Sequence, residues 1–381
     1  MNATTVTSSI LRRAGLHLLL PIVAVFVALL STTGLAHANP LEPEVRQLPE
    51  STSEVQKFWT PERLRSAKAA EMPSGKGSER SLRNVPGPTG APRGGHKAPP
   101  APKRLRSKPP RSTHSAQPGR SLRWSGREIG WNNISYSYTS ATKAVGRLFY
   151  TMPSGYRNFC SASVVATNVI MTAAHCVQNG KTGAYNSLFE FIPAVYGTSK
   201  PYGSFTGRAT SVYTGWASPS YNNTIGTGGW GYQPMDYAFI TLRPNAGGYN
   251  VGQYTGWYGL WPNAPKGTAY VLGYPGEGSW AANQNLPYHC KSPIQEYNRY
   301  YESRYDVGLS CYNTGGSSGG PWFLTASDGR AYVASVMSHM GVVKWQQPTC
   351  TWEGCARYGT TFYGPYLNNE TVNLFNLAKA K

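Results

Sequence analysis

The feature that most constrains the fold is the region from about residue 128 to the C-terminus, which breaks into short apolar and aromatic runs. Eight of these runs are AVGRLFYTM, NFCSASVVA, NVIMTAAHCV, FEFIPAVYG, DYAFITLRP, TAYVLGYPG, YDVGLSCY and RAYVASVMS. Glycine, asparagine, proline and serine separate them, and many short strands at this spacing are typical of all-β sandwiches and barrels. Helical periodicity occurs only in the tail NNETVNLFNLAKAK, where Asn368 or Asn369 could cap a helix. We therefore predict a β domain over 128–381 with a C-terminal helix.

The N-terminus has the pattern of an export signal. Arg12 and Arg13 precede the apolar run LHLLLPIVAVFVALL, and an A-x-A site ends at Ala38. A basic flank, an apolar core and such a site are typical of a secretory signal peptide. The alternative, a membrane anchor, needs about 20 apolar residues and is interrupted here by Pro21. We predict a signal peptide over 1–38 and a secreted, extracellular protein with no membrane association after cleavage.

Residues 39–127 differ in composition from the rest of the chain. They contain 18 basic and 7 acidic residues and 14 of the 29 prolines, but no cysteine or tyrosine. With so few large apolar side chains the segment is predicted to be largely disordered. A short helix is expected where Thr60 can cap and Pro61 can open the run ERLRSAKAAEM.

Three interpretations of this basic segment remain. It is a solvated linker, a polyanion-binding arm, or a pro-segment removed by proteolysis, with Arg123 and Arg127 as candidate processing points. We favour the pro-segment.

Two stretches of the β region carry side chains suited to nucleophilic catalysis. His175 ends the run VIMTAAHCV directly before Cys176, and Cys160 lies 16 residues before Cys176. A Cys160–Cys176 bridge would hold His175 at the rim of a hairpin. Much later, NTGGSSGGPWF places two serines in a glycine turn before an apolar strand. A serine hydroxyl needs a neighbouring base such as histidine to become a nucleophile.

The Cys-x15-Cys spacing that ends in TAAHC, followed by GGSSGGP, resembles the chymotrypsin-like serine peptidases. The resemblance implies two six-stranded antiparallel β-barrels with the active site between them. It also implies Ser318 as the nucleophile, His175 as its base, and the amides of Gly316 and Ser318 as the oxyanion hole. No metal or organic cofactor is implied, and the expected partners are protein or peptide substrates. We expect a monomer and no specific nucleic-acid ligand.

The third member of such a triad is a carboxylate that orients the histidine. The chain has only three aspartates, Asp236, Asp306 and Asp328. Asp236 opens DYAFITL, which resembles the strand of the family, and the order His, Asp, Ser matches that of chymotrypsin. Asp306 and Asp328 are interpreted as structural, and Asp236 is predicted to be the triad carboxylate.

The sequence departs from the trypsin pattern around the nucleophile. Ser317 replaces the aspartate that pairs with a new N-terminus in trypsin-type zymogens, so TGGSSGG and LGYPGE look closer to the secreted glutamyl endopeptidases. Tyr312 argues against a pocket for arginine or lysine. His339 is a candidate for binding a substrate carboxylate, although a direct alignment places Met337 there, and Asn313 is a candidate pocket residue.

The remaining cysteines are expected to form structural bonds. Export permits disulfides, and we predict Cys290–Cys311 and Cys350–Cys355. A metal site at His289, Cys290 and Cys311 is a rival interpretation, but the Cys-x2-Cys spacing typical of zinc is absent. Two other functions stay open: an inactive binding protein on the peptidase fold, and a polyanion or cell-wall binder in which that fold is accessory.

Overall fold

The computed structural model describes most of the region from residue 42 to the C-terminus. The described ranges are 42–75, 81–82, 90–94, 122–124, 127–129, 132–133, 143–195, 197, 199–218, 231–276, 287–299, 304–311, 313–341 and 361–381. The predicted signal peptide lies outside them. Within these ranges, no helix is both long and apolar enough to cross a bilayer.

The N-terminal segment contains short strands and two helices. In chain order these are β1 (Pro43–Gln47), α1 (Thr52–Phe58), α2 (Pro61–Ser66), β2 (Lys68–Ala69), β3 (Ser74–Gly75), β4 (Ser81–Leu82), β5 (Leu122–Trp124), β6 (Arg127–Ile129) and β7 (Asn132–Asn133). Strands β5 and β6 pair with each other as a two-stranded sheet.

The prediction of disorder is wrong for residues 42–75, which are folded and pack on the β region. Val55, Trp59 and Leu64 are buried there, and the Trp59 indole Nε1 donates to the Leu188 carbonyl at 2.6 Å. The large apolar side chains of the segment are few but lie on one side of two consecutive helices. Average composition, dominated by the proline-rich part further along, concealed this pattern.

Helix α2 begins as the sequence predicts and ends earlier. Thr60 is the N-cap, its Oγ1 accepts from the Arg63 amide at 3.3 Å, and Pro61 is the first helical residue. The helix stops at Ser66 because Lys68 and Ala69 pair as a strand with Asn158 and Phe159.

The first half of the β region is a closed six-stranded antiparallel barrel, which confirms this part of the predicted fold. Its strands are β8 (Val145–Thr151), β9 (Arg157–Ala166), β10 (Val169–Thr172), β11 (Ser187–Pro193), β12 (Phe205–Tyr213) and β13 (Ala238–Leu242). The order is β12-β11-β8-β9-β10-β13, and pairing of β13 with β12 closes the ring. Leu148, Val164, Ile170, Phe191 and Ile240 fill its interior and are fully buried.

The second half is built around another, mainly antiparallel sheet. After α3 (Val251–Thr255) come β14 (Gly259–Leu260), β15 (Thr268–Gly273), β16 (Tyr288–Arg299), β17 (Tyr305–Leu309), β18 (Pro321–Thr325), β19 (Ala331–Val336), β20 (His339–Gly341) and β21 (Thr361–Pro365). The order is β14-β19-β18-β15-β16-β17-β21-β20-β3, with β4 and β7 also paired to β16. Within the described ranges this sheet shows no ladder that closes it, so only the first barrel is seen as a ring.

The predicted C-terminal helix is present as α4 (Asn369–Lys379). The sequence left the cap open between two asparagines, and the structure assigns it to Asn368, whose Oδ1 accepts from the amides of Glu370 and Thr371. The apolar face of α4 packs on the barrel, where Phe375 lies 5.4 Å from Phe239 between ring centroids.

Candidate active site

His175 is held where β10 ends. The chain turns there into a single 3₁₀ turn, Ala174–Cys176, which carries the imidazole out of the barrel wall. Cys176 is bonded to Cys160 on the neighbouring strand β9. The disulfide fixes the turn to the barrel, and this restricts where His175 can lie.

Asp236 reaches the same place from β13. It lies between the 3₁₀ turn Gln233–Met235 and the strand, and β13 pairs with β10. Its Oδ2 lies 2.8 Å from His175 Nδ1, and its Oδ1 accepts from the His175 amide at 2.9 Å. The Ser338 hydroxyl donates to Oδ2 at 2.5 Å. The carboxylate therefore fixes both the ring and the backbone of the histidine.

The surroundings of Asp236 favour its ionised form. Burial raises its pKa, because a charge is poorly solvated there, but the attraction of His175 and hydrogen bonds from His175 and Ser338 outweigh that cost. The pKa of Asp236 is consequently held below its ordinary value. A carboxylate in this state can stabilise an imidazolium that forms during a reaction.

Ser318 lies on a turn that needs glycine on either side. Gly316 has a φ of 88° and Gly319 a φ of 79°, a region that L-residues rarely adopt. A Cβ at Gly316 would lie 2.6 Å from the Phe159 ring, and one at Gly319 would lie 2.1 Å from Thr172 Oγ1. The glycines therefore serve a tight, fixed turn.

Ser161 fastens this turn to the barrel. Its hydroxyl donates to the Gly316 carbonyl at 2.9 Å and accepts from the Tyr274 amide at 2.8 Å. Its own amide donates to the Ser318 carbonyl at 2.8 Å. Sequence reasoning missed this residue, although its position directly after a bonded cysteine on a buried strand was a usable signal.

The serine turn and the histidine turn pack against each other. The Ser318 carbonyl lies 3.9 Å from Cys176 Sγ, and Gly319 abuts Thr172 and Ala173. Ser318 Oγ and His175 Nε2 are both buried, and neither has a hydrogen-bond partner among the described residues. The proposed nucleophile and the basic nitrogen are thus left available for each other or for a substrate.

The backbone amide of Gly316 is already engaged. It donates to the carbonyl of Ala70, from the N-terminal segment, at 2.9 Å. Residues 68–71 also line a cavity of about 360 Å³ on which His175 opens. Nothing in the sequence marked Ala70, because the contact uses only its backbone.

The two predicted specificity residues lie close to these groups. Asn313 Oδ1 accepts a hydrogen bond from the Ser317 hydroxyl. His339 is buried and stacks on Tyr363, with Nδ1 2.9 Å from Ser338 Oγ and Nε2 3.3 Å from Asp306 Oδ2. Both ring nitrogens of His339 therefore face groups of this chain, and its role in substrate binding stays a prediction.

The second predicted disulfide, Cys290–Cys311, is also formed, whereas Cys350 and Cys355 lie outside the described residues. One described group, Cys160, His175 and Cys176, is close enough together to suggest a metal site. Its two sulfurs are bonded to each other, however, and a metal requires free thiolates. This group does not suit a metal ion.

Comparison with known proteins agrees with this geometry. Residues 160–332 match the family described as trypsin-like peptidase domain. Over 168 residues the chain is 27% identical to the glutamyl endopeptidase of Bacillus licheniformis, covering 44% of this chain and 46% of that protein. Over 180 residues it is 24% identical to the extracellular metalloprotease of Bacillus subtilis, covering 42% and 52%. The chain spans about half the length of these two relatives.

Among solved structures, the chain is similar to the protease Anisep from Arthrobacter nicotinovorans, with 27% identity and a TM-score of 0.49. That similarity covers 63% of this chain and 97% of the Anisep chain. The closed barrel and the two disulfides accompany this match to the trypsin-like peptidase domain family and the similarity to a glutamyl endopeptidase.

Proposed function

We propose that this protein is a secreted serine endopeptidase. His175 acts as general base and acid, Asp236 orients it, and Ser318 attacks the peptide carbonyl. The amides of Gly316 and Ser318 bind the oxyanion. The substrates are proteins or peptides.

The observation that carries the proposal is the state of the histidine. Its Nδ1 lies 2.8 Å from a buried carboxylate whose pKa is lowered, which favours the tautomer with the proton on Nδ1. Its Nε2 is then the basic nitrogen, and it has no partner within the described part of the chain. In this arrangement Nε2 can act as a general base that accepts the proton of a hydroxyl group.

The reaction follows from these positions in two steps. Ser318 Oγ bonds to the carbonyl carbon while its proton passes to His175 Nε2, and the carbonyl oxygen becomes an oxyanion. Collapse of this intermediate breaks the C–N bond, and Nε2 returns the proton to the leaving amine. Water then attacks the acyl-serine ester in the same way, with His175 again as the base.

Export supports the extracellular assignment. The predicted signal peptide over 1–38 would direct the chain to an oxidising compartment, and the Cys160–Cys176 and Cys290–Cys311 bonds persist in such compartments. One of its relatives is named an extracellular metalloprotease.

The test is covalent labelling of the serine. After proteolytic removal of the N-terminal segment, a fluorophosphonate probe should label the secreted protein and not its Ser318→Ala variant, while Ser317→Ala, a change at the neighbouring hydroxyl, should still be labelled. Casein hydrolysis should be lost with Ser318→Ala by about 10⁴-fold or more, in line with removal of a triad member. Equal labelling of the wild type and Ser318→Ala would overturn the assignment.

A further inference from the structure

Residues 68–75 cross the site from the barrel to the second sheet. At one end β2 pairs with β9, with Lys68 and Ala69 opposite Asn158 and Phe159. At the other end β3 pairs with β20, with Ser74 and Gly75 opposite Met340 and Gly341. The segment therefore joins a strand of each half of the peptidase region.

Three backbone hydrogen bonds hold the stretch between these ends. The Ala70 amide donates to the Phe159 carbonyl, the Gly316 amide donates to the Ala70 carbonyl, and the Met340 amide donates to the Pro73 carbonyl, each at 2.9 Å. Addition of an extended peptide to exposed strand edges is a general mode of peptide recognition. The segment is bound as such a peptide would be.

The central bond uses the group proposed to stabilise the reaction. A peptide carbonyl on the Gly316 amide occupies one of the two donors assigned to the oxyanion. Residues 68–71 also form a wall of the cavity in front of His175. A substrate carbonyl cannot take the same amide while Ala70 holds it.

Side chains fit the segment to the groove as well. Ala69 lies so near Gly276 that a Cβ at 276 would come within 2.7 Å of the Ala69 Cβ. Met72 is buried and joins the apolar cluster that contains Met337 and Phe362, whereas its neighbour Glu71 is exposed. The small and apolar residues thus face the groove, and the two charged ones, Lys68 and Glu71, are exposed.

We propose that residues 68–73 are an intramolecular ligand of the substrate groove, so that the exported chain is latent until this segment is displaced or removed. This rests on the proposed peptidase function. The ion pair that activates trypsin-type zymogens needs an aspartate at the position of Ser317, so that control of activity is not available to this chain. Occupation of the groove by residues 68–73 keeps the chain latent instead.

The contacts of Met72 also predict the class of substrate side chain that the groove accepts. The space held by Met72 is apolar, and the cluster around it includes Cys311, Met337 and Phe362. Once Met72 leaves, a substrate with an apolar side chain fits there, and a carboxylate would lose its hydration without gaining a described cation in that cluster.

The test compares the full chain with variants that release the segment. Met72→Glu places a charge in the apolar cluster. Ala70→Pro removes the amide that donates to the Phe159 carbonyl. If one of these variants fails to fold, the other still tests the proposal. Glu62→Gln, at an exposed position of α2 outside the segment, is the control. Casein hydrolysis and hydrogen exchange of residues 68–75 and 313–318 are measured on each, before any cleavage.

We expect both releasing variants to hydrolyse casein at least tenfold faster than the wild type and the control, with faster exchange in the two segments. Because Ala70 holds the position of the residue before the cleaved bond, peptides with methionine or leucine as the second residue after that bond should be cut at least tenfold faster than those with glutamate there. Equal hydrolysis by the uncleaved wild type would overturn latency and leave the peptidase function standing. Faster exchange without hydrolysis in any variant would support groove occupation and remove the proposed function instead. A preference for glutamate would overturn the substrate class.

Discussion

At the scale of single residues, Ser161 has the largest effect on the geometry of the proposed nucleophile. It makes two hydrogen bonds to the turn 316–318 and a third to Tyr274. Ser161→Ala removes the hydroxyl contacts and leaves the Tyr274 amide unsatisfied, and we expect a loss of about 1–3 kcal/mol in the free energy of unfolding. We also expect the hydrolysis rate to fall about tenfold, as the turn loosens.

Ser163 provides the matched control for that change. It lies on the same strand and is equally buried, but its hydroxyl has no partner within the described ranges. Ser163→Ala should leave stability unchanged or raise it. Chemical unfolding and casein hydrolysis of both variants check the pair, and equal effects would contradict the role given to Ser161.

Asp236 makes the stability of the protein depend on pH. Its folded-state pKa lies below the ordinary value of 3.8, so the folded protein binds this proton less tightly than the unfolded chain. The stabilisation is therefore fully present above pH 3.8 and is lost as the pH falls through the folded-state pKa. Urea unfolding between about pH 2 and 7 should show this loss in the wild type and not in Asp236→Asn. The exposed Glu71→Gln variant should follow the wild type.

Asp306 and His339 form a buried pair behind the Asp236 carboxylate. Because the Ser338 hydroxyl donates to Asp236, it accepts a hydrogen bond from His339 Nδ1, and His339 Nε2 lies 3.3 Å from Asp306 Oδ2. Asp306→Asn keeps a polar group that can hydrogen-bond to Nε2, whereas Asp306→Leu does not. We expect the Leu variant alone to lower kcat about tenfold at unchanged KM.

The comparison of Asp306→Asn with Asp306→Leu distinguishes a role in positioning His339 from a role in packing. If Asn and Leu at position 306 reduce kcat equally, a hydrogen-bond partner for His339 Nε2 is not what the aspartate provides. Thermal unfolding of both variants records any loss of structure.

At the scale of elements, helix α1 and the residue after it, Trp59, attach the N-terminal segment to the barrel. Trp59 is 2% exposed, packs 5.5 Å from Phe149 between ring centroids, and donates to Leu188. Trp59→Ala should cost about 3–5 kcal/mol in the free energy of unfolding, because a large buried side chain is removed. Phe58→Ala, at the adjacent half-buried position, should cost clearly less. Unfolding of the full chain by urea checks both.

The helices and strands also differ in how well they can be predicted from the sequence. The barrel strands were visible because their apolar and β-branched residues recur in short runs between turns. The capping threonine and the proline after it marked the start of α2. Its early end was not marked, because the strand pairing that stops it involves residues about 90 positions away.

At the scale of the whole molecule, one ion pair links the two halves through the C-terminal helix. Arg304 precedes β17 and forms a two-pronged contact with Glu370 on α4, which in turn packs on the barrel. Arg304 is 9% exposed and Glu370 is 31% exposed. A double-mutant cycle of Arg304→Ala with Glu370→Gln should give a coupling energy of about 1–3 kcal/mol.

The ion pair Arg330–Asp328 is the control for Arg304–Glu370. Its side chains are mostly exposed and 4.0 Å apart, so the same cycle there should give below about 1 kcal/mol. Similar coupling energies for the two pairs would mean that the contact to α4 adds nothing beyond a surface ion pair.

The sequence by itself determined the first barrel and supplied the candidates for the reactive groups. A histidine before a cysteine, an aspartate opening a strand and a serine between glycines are local patterns, and the structure brings the first two into hydrogen-bond contact. Only the tertiary structure decided what surrounds them: Ser161 on the serine turn, Ser338 on the carboxylate, and Ala70 on the Gly316 amide. These contacts join residues from 102 to 246 positions apart. Several use backbone carbonyls and amides, which nearly every residue possesses, so no sequence pattern can mark them.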